Sequence, residues 1–147
     1  MLMDDLDKHQ GPLADVARTF ESIWSSPTPE TLAEALHPDV TLYQPAIPVI
    51  RGKDNAYKEF KRLLTWLPGL YGKVDKSIST DELISVEWKL IFPIGRRGIH
   101  IPIVDLLTVK DGKIFVRKAY FDQQPIVLAV LMRPLQIVKF IRYRFKL

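Results

Sequence analysis

No cysteine occurs among the 147 residues, which excludes disulfide staples, thiolate nucleophiles and cysteine-based zinc or iron–sulfur sites. Histidine is nearly as scarce: His9, His37 and His100 are the three in the chain, and they show no ligand spacing, so no metal site is expected. A glycine-rich phosphate loop is missing, because Gly95-Arg96-Arg97-Gly98 has the composition of a hairpin turn rather than of a phosphate cradle. The serines include no nucleophile-elbow pattern. No uninterrupted apolar run is long enough to span a bilayer. The opening MLMDDLDKHQ is acidic and lacks the basic-then-apolar layout of a secretory signal. A cytoplasmic protein working without a cofactor is the expectation.

What is present fits one domain. The length is enough to bury most apolar surface without a metal or a disulfide. The net charge of +4 is concentrated at the C-terminus in Lys139, Arg142, Arg144 and Lys146. The rest of the chain is close to neutral, which argues against a nucleic-acid footprint.

Helical spacing of Leu13, Val16, Ala17, Phe20, Ile23 and Trp24 predicts a first helix, ended by Ser25-Ser26-Pro27. Thr28-Pro29 opens a short second helix with Leu32, Ala33 and Leu36 on its apolar side, broken by His37-Pro38-Asp39. Val40 to Pro45 has strand character. Gly52-Lys53-Asp54 turns into a third helix whose stripe is Ala56, Tyr57, Phe60, Leu63, Leu64 and Leu67, stopped by Pro68-Gly69. The period then changes to two, and strands are expected over 71–79, 83–92, 98–109 and 113–121. Helices first and a strand meander afterwards predict an α+β fold with the helices on one face of a mostly antiparallel sheet.

The order of Leu36-His37-Pro38-Asp39-Val40-Thr41-Leu42-Tyr43-Gln44-Pro45, Ile50-Arg51-Gly52-Lys53-Asp54 and Asp105 to Ile114, closing with Tyr120-Phe121-Asp122, resembles the nuclear transport factor 2-like superfamily. Its SnoaL-like branch is the most similar. The resemblance implies a cone-shaped, cystatin-like roll over residues 12–122 that encloses a pocket, with 123–147 as a C-terminal extension. In relatives such pockets serve ketosteroid isomerisation, polyketide cyclisation, epoxide hydrolysis or dehydration, or binding alone. A small-molecule protein acting on an apolar, oxygenated steroid, polyketide or terpenoid by acid–base chemistry is therefore expected. A non-catalytic ligand-binding or interaction domain is the alternative.

Residue by residue, neither well-known activity carries over. Against ketosteroid isomerases, the oxyanion-hole tyrosine falls at Phe20 and the general base at Gln44, while Asp105 matches the oxyanion-hole acid. Against limonene-epoxide hydrolases, Tyr43 matches a water-holding tyrosine, but the neighbouring asparagine falls at Pro45. The arginine of their Asp-Arg-Asp triad falls at Ser85, one aspartate becomes Glu87 and the other falls at Ala119.

If Asp105 points inward, alternation puts Ile101, Ile103 and Leu107 beside it. The resemblance adds Ser85, Glu87 and Lys89 from one neighbouring strand and Phe115, Arg117 and Ala119 from the other. Asp105 or Glu87, desolvated and oriented by Arg117 or Lys89, is then the candidate general acid or base. The other reading is a satisfied ion-pair network, or a solvated face carrying Glu87 and Lys89 opposite Ile84, Val86, Trp88 and Leu90. Tyr43, Phe60, Trp66 and Phe115 are candidate pocket walls or plain core. Trp88, opposite Glu87, suggests a covered outer sheet surface and a homodimer through it.

The extension begins PIVLAVLM and continues, beyond Arg133-Pro134, with Leu135, Ile137, Val138, Phe140, Ile141 and Phe145 as a wide apolar surface. Lys139, Arg142 and Lys146 run along one helical stripe. Such a basic amphipathic helix can lie in an anionic membrane interface, or pack across the pocket mouth or onto a dimer mate with its basic stems snorkelling outward.

Overall fold

The computed structural model describes residues 8–145; Lys146 and the acidic opening residues 1–7 lie outside the described part. In chain order the elements are β1 (His9–Gln10), α1 (Ala14–Ser25), α2 (Pro29–Glu34), β2 (Leu36–Tyr43), β3 (Ile50–Arg51), α3 (Lys53–Trp66), β4 (Tyr71–Ser79), β5 (Leu83–Phe92), β6 (Ile99–Lys110), β7 (Lys113–Tyr120), α4 (Gln124–Leu131) and α5 (Pro134–Phe145). The strands form one open sheet in the order β1-β4-β5-β6-β7-β2-β3. The meander β4 to β7 is antiparallel, whereas β1 runs parallel to β4 and β2 parallel to β7.

Local chemistry sets the helix ends. Thr28 caps α2: its side chain accepts from the Thr31 amide and the Thr31 hydroxyl accepts from the Thr28 amide, with Pro29 at the first helical position. One boundary differs from expectation. His37-Pro38-Asp39 does not separate helix from strand but lies within β2, where the register against β7 shifts between Leu36 and Thr41. Pro38 has no amide to give the ladder, so an irregular stretch is where the strand tolerates it.

The core fills the space between the helices and one face of the sheet. Ala17, Phe20 and Trp24 of α1 and Ala56, Phe60 and Trp66 of α3 face Ile84, Val86, Trp88 and Leu90 of β5 and Ile101, Ile103 and Leu107 of β6. Trp88 is its centre, 1% exposed, with the Trp24 ring 5.0 Å away and the Phe20 ring edge-on at 5.2 Å. Pairs of this kind add about 0.5–1.5 kcal/mol each beyond area burial. Trp88 is therefore not on an outer surface: four apolar side chains of β5 claim the interior together, and period two carries Trp88 with them.

Space for that indole is made on β4, at the position diagonal to it across the ladder. A Cβ at Gly72 would stand 2.5 Å from Trp88 Cζ3 and 3.3 Å from Trp24 Cβ, so the backbone of β4 approaches the ring closely only because position 72 has no side chain.

Candidate functional site

Two inward side chains, one on β6 and one on β7, define the charged part of the interior. Asp105 pairs with Ala119, and Leu107 pairs with Arg117, so Asp105 and Arg117 are diagonal neighbours on the same face. Arg117 Nε donates to Asp105 Oδ2 at 2.7 Å, with the carboxylate fully buried and the guanidinium nearly so. The guanidinium also lies 5.4 Å from the Trp24 ring centre and 5.9 Å from that of Trp88, an arrangement that stabilises a desolvated cation. Burial raises the Asp105 pKa; the Arg117 charge, the Arg117 hydrogen bond and the Trp88 indole N–H oppose that rise without cancelling it. Asp105 Oδ1 and Trp88 Nε1 both lack a well-formed hydrogen bond.

Arg117 borders a cavity of about 140 Å³ between the sheet, α3 and the C-terminal helices. Its walls are mainly apolar: Trp24, Phe60, Leu63, Trp66, Leu90 and Ile103 from the body, with Ile126, Val127 and Phe140 from α4 and α5. Gln44 and the following Pro45-Ala46-Ile47 stand at one side. Asp105 does not line the cavity and reaches it only through Arg117. The Nε contact to Asp105 leaves the terminal guanidinium groups without a protein acceptor among the described residues, and those groups retain four N–H donors.

A second polar group in the cavity is Glu59, 5% exposed on α3. Its carboxylate accepts from the Tyr143 hydroxyl of α5 and pairs with Arg62. Burial, then the neighbouring Glu59 charge, pushes the Tyr143 pKa far upward, so its hydroxyl stays a donor across the accessible pH range. Sequence reasoning missed Glu59, although its place three residues after Ala56 and four before Leu63 falls inside the buried stripe of α3.

Several expected positions move. Glu87 and Lys89 lie on the outer face of β5, where Glu87 pairs with Lys76 at 3.5 Å; they do not join Asp105, because Val86 is its partner across the ladder. Phe115 also leaves the interior. The register of β6 and β7 shifts between Thr108 and Val109, which makes Ile114 the buried residue and sets Phe115 against His37 and Lys110. Tyr43 is exposed, with Lys118 Nζ 5.8 Å from its ring centre. Phe20 is buried beside Trp88 and borders a small void shared with Arg117, not the main cavity. Ala119 is core. Gln44, Phe60, Trp66, Ile103 and Arg117 are the predicted residues that the structure gathers around the cavity.

The histidines take structural positions. His9, expected in a polar leader, is buried in β1, with Nδ1 2.7 Å from the Ser77 hydroxyl and Nε2 3.0 Å from Glu21. His37 Nδ1 accepts from the Asp39 amide, and His100 is exposed. No cluster of three metal-ligating side chains occurs among the described residues, nor any helix long and apolar enough to cross a membrane.

The extension is closed down onto α3. Trp66 stacks on Tyr143 at 4.9 Å, meets Phe140 edge-on at 5.3 Å and donates from Nε1 to Gln136 at 3.3 Å. Ile126, Ala129 and Val130 of α4 enter the main core. The tail thereby forms one wall of the cavity.

Comparison with known proteins agrees with this architecture. A family model described as a SnoaL-like domain matches residues 16–117. A solved structure from Jannaschia, named as a SnoaL-like polyketide cyclase, superposes with a TM-score of 0.69 at 16% identity, covering 83% of this chain and 93% of its own. An LEH-like epoxide hydrolase from M. tuberculosis gives 0.65 at 18% identity, covering 84% and 92%. A Catenulispora acidiphila protein with a ketosteroid isomerase-like fold gives 0.68 at 14% identity, covering 78% and 91%. No curated protein matches the chain by sequence. At these identities the structures share the fold, and function must come from the site.

Proposed function

The chain belongs to the SnoaL-like family, and from that premise we propose that it binds a small, mainly apolar molecule whose oxygen is held by Arg117. One observation carries this reading: the guanidinium is fixed by Asp105 and flanked by two indoles, Arg117 borders a mainly apolar cavity, and its terminal nitrogens have no protein acceptor among the described residues. A ligand oxygen there would accept a charge-assisted hydrogen bond, which a hydrocarbon of the same shape cannot do. In this reading Asp105 is a positioning residue. It fixes the guanidinium plane and offsets its charge.

Size limits the ligand. A cavity of roughly 150 Å³ accommodates benzene, so with the tail in place the 140 Å³ space suits a monocyclic molecule. A steroid or a polyketide requires α5 to lift away. Benzaldehyde and toluene are nearly isosteric and differ in the oxygen, so ligand-observed NMR can compare them directly. Tighter binding of benzaldehyde is expected, with the preference lost in Asp105→Leu/Arg117→Met, which removes both charges together. Equal binding of the two probes, or no binding, would overturn the reading.

A catalytic version is favoured by Glu59, whose carboxylate borders the same cavity. Glu59 takes a proton from the carbon next to a bound carbonyl, and Arg117 stabilises the enolate oxygen that forms. Exchange of the α-protons of cyclohexanone in D₂O measures this step. The wild type should exceed the buffer rate and Glu59→Gln should not.

A homodimer through the outer sheet face belongs to the same proposal, since Val104 and Tyr120 are cross-strand partners that stand exposed there beside Tyr43.

A further inference from the structure

The face of α5 turned away from α3 is apolar and uncovered. Leu135, Val138, Ile141 and Phe145 recur at intervals of three and four residues, which is one stripe of a helix. They are 78%, 53%, 40% and 67% exposed. The opposite stripe, Gln136, Phe140 and Tyr143, is the one that packs on Trp66. Leu131 and Met132, at the end of α4, extend the exposed surface toward Leu135. Soluble monomers rarely leave a contiguous patch of this kind without a partner.

Positive charge borders the stripe. Arg142 lies within it, and Lys139 lies on its flank toward α3, across an open groove from Lys58 and Lys61. No carboxylate lines that groove. None of these four cations makes an ion pair among the described residues.

We propose that the outer face of α5, with the basic groove beside it, docks onto an anionic phospholipid surface. The apolar stripe inserts at the acyl boundary, while Lys58, Lys61, Lys139 and Arg142 meet lipid phosphates. Charge complementarity selects this occupant. A second copy of the chain, joined through the same face about a two-fold axis, would bring the cations of both copies into one interface with no carboxylate from the groove to offset them. A soluble polyanion would match the charges and leave the apolar stripe in water. Docking also has a geometric consequence, because the inner face of the same helix lines the cavity through Phe140 and Tyr143. The membrane would lie one helix thickness from the ligand site and could deliver an apolar ligand to it.

Co-sedimentation of the full chain with vesicles of phosphatidylcholine alone, or mixed with phosphatidylglycerol, tests the proposal. Binding is expected on the mixed vesicles, much weaker on the neutral ones, and reduced by high salt. Lys61→Gln/Lys139→Gln/Arg142→Gln should weaken it about a hundredfold, at roughly 1 kcal/mol for each cation near the surface. Leu135→Ser/Val138→Ser should weaken it at least about tenfold. All substituted residues are exposed, and circular dichroism checks that each variant folds. No binding to mixed vesicles overturns the proposal. So does loss in the charge variant with none in the apolar variant, which would assign the groove to a soluble polyanion. A dimer in light scattering that Leu135→Ser/Val138→Ser dissociates, without vesicle binding, would assign the face to a second copy.

Discussion

Arg117 Nε and Asp105 Oδ2 meet at 2.7 Å across adjacent antiparallel strands, two residues out of direct register and so on the same face. Both side chains lie on the apolar face, so neither can recover hydration if the other is removed. Breaking such a pair from one side costs about 3–5 kcal/mol, whereas replacing both partners by apolar groups is often neutral or stabilising. Asp105→Leu and Arg117→Met should each lower stability by that amount in urea titration. The double variant should recover most of the loss. If the two losses simply add, the pair is not coupled as the geometry requires.

Gly72 gives a second test, in which only packing changes. Alanine there drives a methyl group into the Trp88 ring, with 2.5 Å between Cβ and Cζ3. Overpacking of this kind costs about 1–3 kcal/mol. Because Trp88 supports the Arg117 guanidinium, Gly72→Ala should also reduce ligand affinity at a site that it does not touch. Thermal unfolding and the benzaldehyde titration measure the two effects separately.

Much of this scaffold was legible from periodicity, and the exceptions have physical causes. The stripes of α1 and α3 and the alternation of β4 and β5 recur over enough residues to fix each element. The two-residue strands β1 and β3 have no periodicity to read. On β5, alternation separated Glu87 and Lys89 from Ile84, Val86, Trp88 and Leu90, but the family resemblance pointed the charges inward. Burial of four large apolar side chains outweighs that analogy. Phe115 illustrates a different limit: a single bulge inverts parity beyond it, and the sequence Lys113-Ile114-Phe115-Val116 has no feature that marks where the extra residue sits.

Tyr143 ties α5 to the body by donating to Glu59. Hydrogen bonds to a charged acceptor contribute about 1.5–3 kcal/mol. Tyr143→Phe keeps the stack on Trp66 and removes this bond alone. Stability should fall within that range, and the amides of α5 should exchange with solvent faster while those of β5 and β6 change only with global stability. Unchanged exchange in α5 would mean that the aromatic stack holds the helix unaided.

The outer sheet face makes a separate prediction about assembly. Tyr120 is 56% exposed and sits directly opposite Val104. If this face pairs two copies, Tyr120→Glu places two like charges in a desolvated interface and should yield monomers in light scattering, with the monomer fold intact. A wild type that is already monomeric at high concentration would rule out the pairing.

Two carboxylates should bend the stability profile in opposite directions. Burial alone would raise the Glu21 pKa, but hydrogen bonds from His9 and Lys8 and the charges of both residues lower it overall. A depressed carboxylate contributes stability above its unfolded pKa, and that contribution is lost as pH falls through the folded value. For Asp105, burial raises the pKa despite Arg117 and Trp88. Its contribution is complete below the ordinary carboxylate range and is lost as pH rises through the raised value. Glu21→Gln should therefore flatten the acid limb of a urea-stability profile, whereas Asp105→Asn should flatten the decline above the ordinary carboxylate range. The two variants differ in sign because Glu21 is held by more donors than burial can offset, while Asp105 has one cation against complete desolvation.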